Sequence, residues 1–422
     1  MTGTDAAARI HEYAWVGHKP GLERTRALLG ALGNPEQSLK FIHITGSNGK
    51  GSTAAMLSSI LSAAGYRVGL FTSPHLYRFN ERFQVCGRPI PDDALGRITE
   101  RVLAAAEQFS EHPTEFELMT AIGFLWFAEM QCDIVVLEVG LGGRLDSTNV
   151  IPAPEAAVIT NIGLEHTALL GNTISAITKE KSGIIKSGCS AVLYGQGREA
   201  GEVVEDVCGS LSVPLTVTDE TKLILHRSDR SGQIFTYRGR GPLHLPLLGA
   251  YQLYNTLTVL DTVDALRARG WTISEDAIRS GLAAAKWPGR LELVRRSPDF
   301  IIDGGHNPQC AQALAASLRA LYPEQKLIFI IGVLADKDWK TMVSEILPLA
   351  KLVITVRPES TRAEDENELA GWVRTKGVEA IARKTIREAA DAALALAWPE
   401  DTICAWGSLY SVGELRHALG LC

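Results

Sequence analysis

Lys50 and Ser52 close the run Phe41-Ile42-His43-Ile44-Thr45-Gly46-Ser47-Asn48-Gly49-Lys50-Gly51-Ser52. A lysine and a hydroxyl at the end of a glycine-punctuated turn are the groups that polyphosphate binding requires. Successive backbone N–H groups of such a turn face one concavity, and a helix after it adds its own unsatisfied N–H groups and positive dipole end. Lys50 would supply a point charge to the outer phosphates and Ser52 a hydroxyl to Mg²⁺. The nucleotide-binding set on this reading is Gly46, Asn48, Gly49, Lys50, Gly51, Ser52 and Thr53. The usual phosphate loop has four residues between its first glycine and the Gly-Lys pair. Here only Ser47 and Asn48 separate Gly46 from Gly49, so the loop is a shortened one.

Two further runs end in groups that could serve a metal. Glu138 closes Asp133-Ile134-Val135-Val136-Leu137-Glu138, ahead of Gly140-Leu141-Gly142-Gly143-Arg144-Leu145-Asp146. In an open parallel sheet the carboxyl ends of strands line the ligand crevice, which turns Glu138 toward the nucleotide. A hard cation takes oxygen ligands, so Glu138 and Ser52 would hold Mg²⁺ against the phosphates. His166 follows Val158-Ile159-Thr160-Asn161-Ile162-Gly163-Leu164-Glu165 on the same expected edge. It would suit a second metal, although imidazole is not the preferred ligand of Mg²⁺. On composition alone, the lysines of Lys179-Glu180-Lys181-Ser182 belong to a solvated helix face.

The elements that must position these groups alternate. Leu39 to Thr45, Arg67 to Phe71, Asp133 to Val139, Ala156 to Thr160 and Ser190 to Tyr194 read as short buried strands, and Thr53 to Ala64 as the helix after the phosphate loop. Such alternation implies parallel strands joined by right-handed crossovers. Between Lys222 and Leu247 the helical period disappears, and Ile234 to Tyr237 reads as part of an antiparallel insertion. Helices follow near Ala250 to Ala268 and Ser274 to Ala285. Trp287-Pro288-Gly289-Arg290 breaks the pattern, and a second alternating series begins with strands at Phe300 to Asp303, Lys326 to Ile331, Leu352 to Val356 and Thr402 to Trp406. The expected fold class is α/β: a phosphate-loop, ATPase-like domain with a mostly parallel sheet at 1–289, and a smaller Rossmann-like domain at 290–422.

With 422 residues the chain exceeds the size at which one core usually stops growing. A net charge of −6 without a basic run argues against a nucleic-acid surface, so anions must be met by local positive groups. No apolar run approaches the roughly 18 residues of a membrane span. Cys86, Cys132, Cys189, Cys208, Cys310, Cys404 and Cys422 are scattered and form no Cys-x-x-Cys pair, as expected of reduced structural thiols in a cytoplasmic protein.

The motifs resemble those of the folate branch of the Mur ligase superfamily, the folylpolyglutamate and dihydrofolate synthases, which join a carboxylate to an amine at the expense of ATP. The resemblance runs from Gly21-Leu22-Glu23-Arg24 to Gly407-Ser408-Leu409-Tyr410-Ser411-Val412-Gly413-Glu414. It takes in Phe71-Thr72-Ser73-Pro74-His75-Leu76, the Glu138 to Asp146 segment with Thr148-Asn149-Val150, and Asp303-Gly304-Gly305-His306-Asn307-Pro308. It implies Ser52, Glu138, His166 and Lys181 as ligands of two Mg²⁺ ions, Lys181 being carbamylated by CO₂. It implies Asn255 as the residue that reads adenine and Arg290 and Asp303 as nucleotide contacts. Lys50, Lys181 and His306 are implied in catalysis, and Ser73 and His75 in the acceptor site. Tyr251 and Gly305 stand where the family often has His and Ala.

Family members that make dihydrofolate carry Thr-x-Phe before the metal strand and an Asp in the glycine loop. Here these are Thr114-Glu115-Phe116 and Asp146, with Phe116 placed to stack on a pterin or simply to fill the core at a helix start. The implied substrates are dihydropteroate, tetrahydrofolates and L-glutamate, and the implied state is a monomer. A synthase restricted to tetrahydrofolates, a phosphate-loop kinase and a non-catalytic nucleotide sensor remain as alternatives at this point.

Overall fold

The structure is a computed structural model that describes residues 3–17, 19–195 and 197–421, so Cys422 lies outside the described residues. The chain divides into two compact units: Met1–Ile224 with Thr236–His244 and Tyr254–Ala285, and Leu225–Phe235 with Leu245–Leu253 and Lys286–Cys422.

The sheet of the first unit contains Phe41–Thr45 (β1), Val68–Phe71 (β2), Phe83–Val85 (β3), Arg88–Pro89 (β4), Ile134–Glu138 (β5), Ala156–Ile159 (β6), Ser190–Leu193 (β7) and Leu215–Val217 (β8). Its order is β4-β3-β2-β5-β1-β6-β7-β8. The six strands from β2 to β8 run parallel, and β3 and β4 add an antiparallel edge. Every residue of β1, β5 and β6 is buried, as expected of largely apolar strands when helices cover both faces of a sheet. The helix Lys50–Ala63 starts earlier than the expected Thr53, because Gly49 already serves as its cap. Lys50, Gly51 and Ser52 therefore occupy its first turn, where backbone N–H groups have no intrahelical partner.

The helix Glu115–Glu129 is buried along most of its length and begins with a capping box. Thr114 Oγ1 accepts from Glu117 N (3.2 Å), and the Glu117 carboxylate accepts from Thr114 N (2.6 Å). Its Phe124 and Phe127 share one core with Phe41, Phe71 and Phe83.

Leu223–Asp229 (β9), Gly232–Tyr237 (β10) and Arg240–Leu245 (β11) make a three-stranded sheet in the order β11-β10-β9. Two-residue connections between them require antiparallel hairpins. The sheet of the second unit contains Glu292–Arg295 (β12), Asp299–Asp303 (β13), Leu327–Ile331 (β14), Ala350–Val356 (β15), Ala380–Arg383 (β16) and Thr402–Trp406 (β17), ordered β12-β13-β17-β14-β15-β16. Only β12 is antiparallel.

The strands missed by the sequence reading are β3, β4, β8, β12 and β16. All lie at or next to a sheet edge, and charged or half-exposed positions interrupt their apolar pattern. Among the described residues no helix is long and apolar enough to cross a membrane, and the six described cysteines are free thiols.

The helices Lys50–Ala63 and Glu275–Ala284 meet where Gly281 lies against Ile60; a Cβ on Gly281 would stand 2.4 Å from Ile60 Cα. Gly281→Val should therefore destabilise the protein by about 1–3 kcal/mol through overpacking. Denaturant unfolding measures this, and an unchanged midpoint would contradict the packing described.

Candidate active site

β1 delivers the phosphate loop to the carboxyl edge of the first sheet, and the segment after β6 holds it there. Ser47 N and Asn48 N both donate to Asn161 O (2.7 and 3.2 Å). Thr160 Oγ1 donates to Asn48 O (2.8 Å), and Ser47 Oγ lies 3.0 Å from both Gly163 O and Gly163 N. A side chain at Gly46 would collide with Thr160, its Cβ falling 1.9 Å from Oγ1. Gly49 has φ +90°, and a Cβ there would fall 2.5 Å from Asn255 Oδ1, so Asn255 is seated directly on the loop. Lys50 Nζ folds over the loop and donates to Gly46 O (2.8 Å) and Ser47 O (3.3 Å). Ser52 is buried in the first helical turn. Thr53 is fully buried, and its hydroxyl has no partner among the described residues.

Glu138 ends β5 as a buried carboxylate whose Oε2 accepts from Ser73 N (3.1 Å), which ties the segment after β2 to the same edge. The solvated-face expectation for the lysines is half wrong. Lys179 is exposed, but Lys181 is only 1% exposed. Residues two apart on a helix lie about 200° apart around its axis, so the two lysines face opposite ways. Lys181 Nζ donates to Glu165 Oε1 at 2.9 Å. Burial pushes the Lys181 amine down to about 8; the charge of Lys50 adds to this, and Glu165 opposes it. Burial alone would raise Glu165, yet Lys50, Lys181 and Ser47 together hold its carboxyl below the usual range. His166 is exposed, with φ 46° and ψ 38°, and precedes the short helix Thr167–Leu170. Among the described residues no three His, Cys, Asp or Glu side chains form a group that could hold a metal by themselves.

Thr114 is a helix cap, as described above. Phe116 packs on the glycine loop, with its Cζ 2.5 Å from where a Gly140 Cβ would be, and meets Phe71 edge-on with ring centroids 6.0 Å apart. Asp146 is buried, and its two oxygens accept from Leu141 N (2.9 Å) and Thr148 N (3.0 Å). Burial raises its pKa, against the pull of those donors and of the Thr148 hydroxyl. His75 Nδ1 accepts from Arg82 Nε (3.0 Å); burial, then Arg82 and His11, lower its pKa to about 4.

In the second unit, Asp303 ends β13 as a buried carboxylate. It accepts from Leu291 N (2.8 Å), Gly305 N (2.7 Å) and Tyr251 Oη (3.3 Å). Burial raises its pKa, while the neighbouring Arg290 and these donors lower it. A Cβ on Gly304 would fall 2.4 Å from Leu409 Cδ2 and 3.2 Å from Arg290 Nη1, and His306 Nδ1 lies 3.0 Å from Gly304 O.

The sequence reading gave no role to Glu165, Thr160, Asn161, Tyr251, Thr148 or His43. Each lay in or beside a run that carried a signal, but no local pattern gave it a contact.

The description "Mur ligase middle domain" matches residues 44–263, and "Mur ligase, glutamate ligase domain" matches residues 289–409. The folylpolyglutamate synthase of Lacticaseibacillus casei is 37% identical over 99% of both chains. The dihydrofolate synthase/folylpolyglutamate synthase of Bacillus subtilis is also 37% identical, over 83% of this chain and 84% of its own. The solved structure of Escherichia coli FolC in complex with DHPP and ADP superposes with a TM-score of 0.87 at 31% identity, covering 98% of this chain and 97% of that one. The chain belongs to the Mur ligase family, in the branch of the folylpolyglutamate and dihydrofolate synthases.

His75 remains neutral in the folded protein down to about pH 4, whereas in the unfolded chain it takes up a proton near 6.5. Below about pH 6.5 the unfolded state binds the extra proton, so stability falls with pH; above it this residue adds no slope. Denaturant midpoints between pH 7.5 and 5 should therefore fall less steeply in His75→Gln than in the parent. Equal slopes would refute the assignment.

Proposed function

We propose that the protein is an ADP-forming carboxylate–amine ligase that adds L-glutamate to dihydropteroate and to tetrahydrofolates. The observation that carries this reading is the shared sheet edge. There the loop Gly46–Ser52 opens onto a helix N-terminus, with Glu138 at the end of the adjacent strand and the buried Lys181–Glu165 pair beside it. Joining a carboxylate to an amine in water is uphill, so the acceptor carboxylate must first be activated. Its oxygen attacks the γ-phosphorus of ATP and ADP leaves; the glutamate amine then attacks the acyl carbon and phosphate leaves. Phosphoryl transfer asks mainly for positioning and charge neutralisation. Lys50 and the N–H groups of the first helical turn supply these.

The donor set fits divalent ions. Ser52 and Glu138 would hold one Mg²⁺, and His166 with a carbamylated Lys181 a second. When bound, the metal neutralises charge on the transferred phosphoryl group. Carbamylation needs a free amine, and a buried lysine held down to about 8 offers one near neutral pH. Its product is an anionic ligand and a released proton. We assign nucleotide contacts to Asn255, Arg290 and Asp303 and a catalytic contact to His306. Ser73, His75, Thr114, Phe116 and Asp146 are assigned to the acceptor site. The six described cysteines, all free thiols, support a reducing, cytoplasmic setting, and we propose action as a monomer.

Nucleotide products are to be measured with and without L-glutamate, using dihydropteroate and then tetrahydrofolate as acceptor. ADP and phosphate should appear with either acceptor and depend on glutamate. AMP and pyrophosphate would replace the acyl-phosphate route with adenylation, and glutamate-independent ADP would point to a kinase or NTPase. Failure with dihydropteroate alone would restrict the enzyme to folylpolyglutamate synthesis.

Lys181→Ala should be nearly inactive and partly rescued by added formate or acetate, which returns a carboxylate to the place of the carbamate. Turnover near that of the parent would remove Lys181 from the site.

A further inference from the structure

Behind the glycine loop, three buried side chains make one line of hydrogen bonds. His43, fully buried in the middle of β1, places Nε2 2.9 Å from Thr148 Oγ1. Thr148 Oγ1 in turn lies 2.5 Å from Asp146 Oδ1. The direction of the protons follows from what each group can do. Asp146 accepts from Leu141 N and Thr148 N, and its Oδ1 also accepts the Thr148 hydroxyl proton. Thr148 must therefore donate its one proton to Asp146 and offer a lone pair to His43. His43 must then carry its proton on Nε2. Its other nitrogen, Nδ1, is buried with no partner among the described residues, as the unprotonated atom of that tautomer can be. Burial, with a smaller contribution from Lys186, lowers the ring to about 3, so it is neutral at physiological pH.

A second tether runs beside the first. Thr45 Oγ1 donates to Gly142 O at 2.5 Å. Residues two apart on a strand point to the same face, so His43 and Thr45 reach the loop together while the end of their strand carries Gly46. The loop after β5 and the phosphate loop are thus both referenced to β1.

We propose that His43 is a positioning residue for the acceptor: as a neutral donor acting through Thr148, it sets the orientation of Asp146 and of the loop Gly140–Asp146. This rests on the reading of Asp146 as a contact of the pterin-bearing acceptor. A histidine that merely fills space would tolerate any side chain of similar size, whereas a relay needs a donor at one atom. Glutamine can put an N–H near the position of Nε2, and leucine cannot. Serine keeps the hydroxyl of Thr148, and valine removes it at nearly constant shape.

The test combines kinetics with a spectroscopic readout on the parent protein. Losing a hydrogen bond that orients a charged group should raise the KM for dihydropteroate about tenfold in His43→Leu and Thr148→Val. KM for ATP should stay within about twofold, and His43→Gln and Thr148→Ser should remain within about threefold of the parent for both substrates. In ¹⁵N-histidine-labelled protein, His43 should appear as the neutral Nε2–H tautomer, and its Nε2 signal should move in Thr148→Val. A Nδ1–H tautomer would overturn the relay without any variant having to fold. So would His43→Gln falling as far as His43→Leu, or equal losses for ATP and dihydropteroate. Asp146→Ala separates the two levels. An unaltered KM for dihydropteroate there overturns the acceptor reading and this proposal with it. A large increase there beside a normal Thr148→Val overturns the relay alone.

Discussion

Strand β1 is hydrogen-bonded on both sides to parallel neighbours, with Ile44 opposite Glu138 and Thr45 opposite Ile159. Because all three strands run the same way, their carboxyl ends emerge at one edge and deliver the phosphate loop, the Glu138 carboxylate and the Thr160–Asn161 segment together. Register leaves little freedom, since a slip by one residue would exchange the two faces of a strand. His43 and Thr45 would then turn away from the glycine loop, and Ile42 and Ile44 would lose the core. The packing of β1 and the geometry of the site are therefore one constraint.

Charge at this edge is balanced locally. The chain carries a net −6, yet this edge gathers Lys50 and a Lys181 that has almost no water around it. A buried ammonium is tolerated only beside a partner, and Glu165 takes that place. Desolvation also makes the amine easier to deprotonate. In the second unit Asp303 shows the same economy with the opposite sign. A dry carboxylate is kept in place by two backbone N–H groups, a tyrosine hydroxyl and the nearby Arg290.

The fold was legible wherever burial was complete. β1, β5, β6, β13, β14 and β17 are buried at every position and largely apolar, with polar residues such as His43, Glu138 and Asp303 few among them, and such runs need no long-range information to be recognised. The edge strands were not legible. β12 carries Glu292 and Arg295, and β16 ends in Arg383, so neither differs locally from a loop. What makes them strands is the unpaired row of N–H and C=O groups on β13 and β15.

By itself the sequence determined the phosphate loop, the strand that ends in Glu138 and the run that ends in His166. These signals are local: glycine spacing, one lysine, and a carboxylate or imidazole after an apolar stretch. Only tertiary structure decided that Lys181 points inward while Lys179 faces water, that Asn255 rests on Gly49, and that Thr148 joins His43 to Asp146. Each of these depends on which distant surface a side chain meets: 16 residues separate Glu165 from Lys181, and 105 separate His43 from Thr148. No periodicity or motif encodes such a meeting. It is settled when buried polar groups must find partners in the packed interior, where an unpaired one would cost about 1–3 kcal/mol.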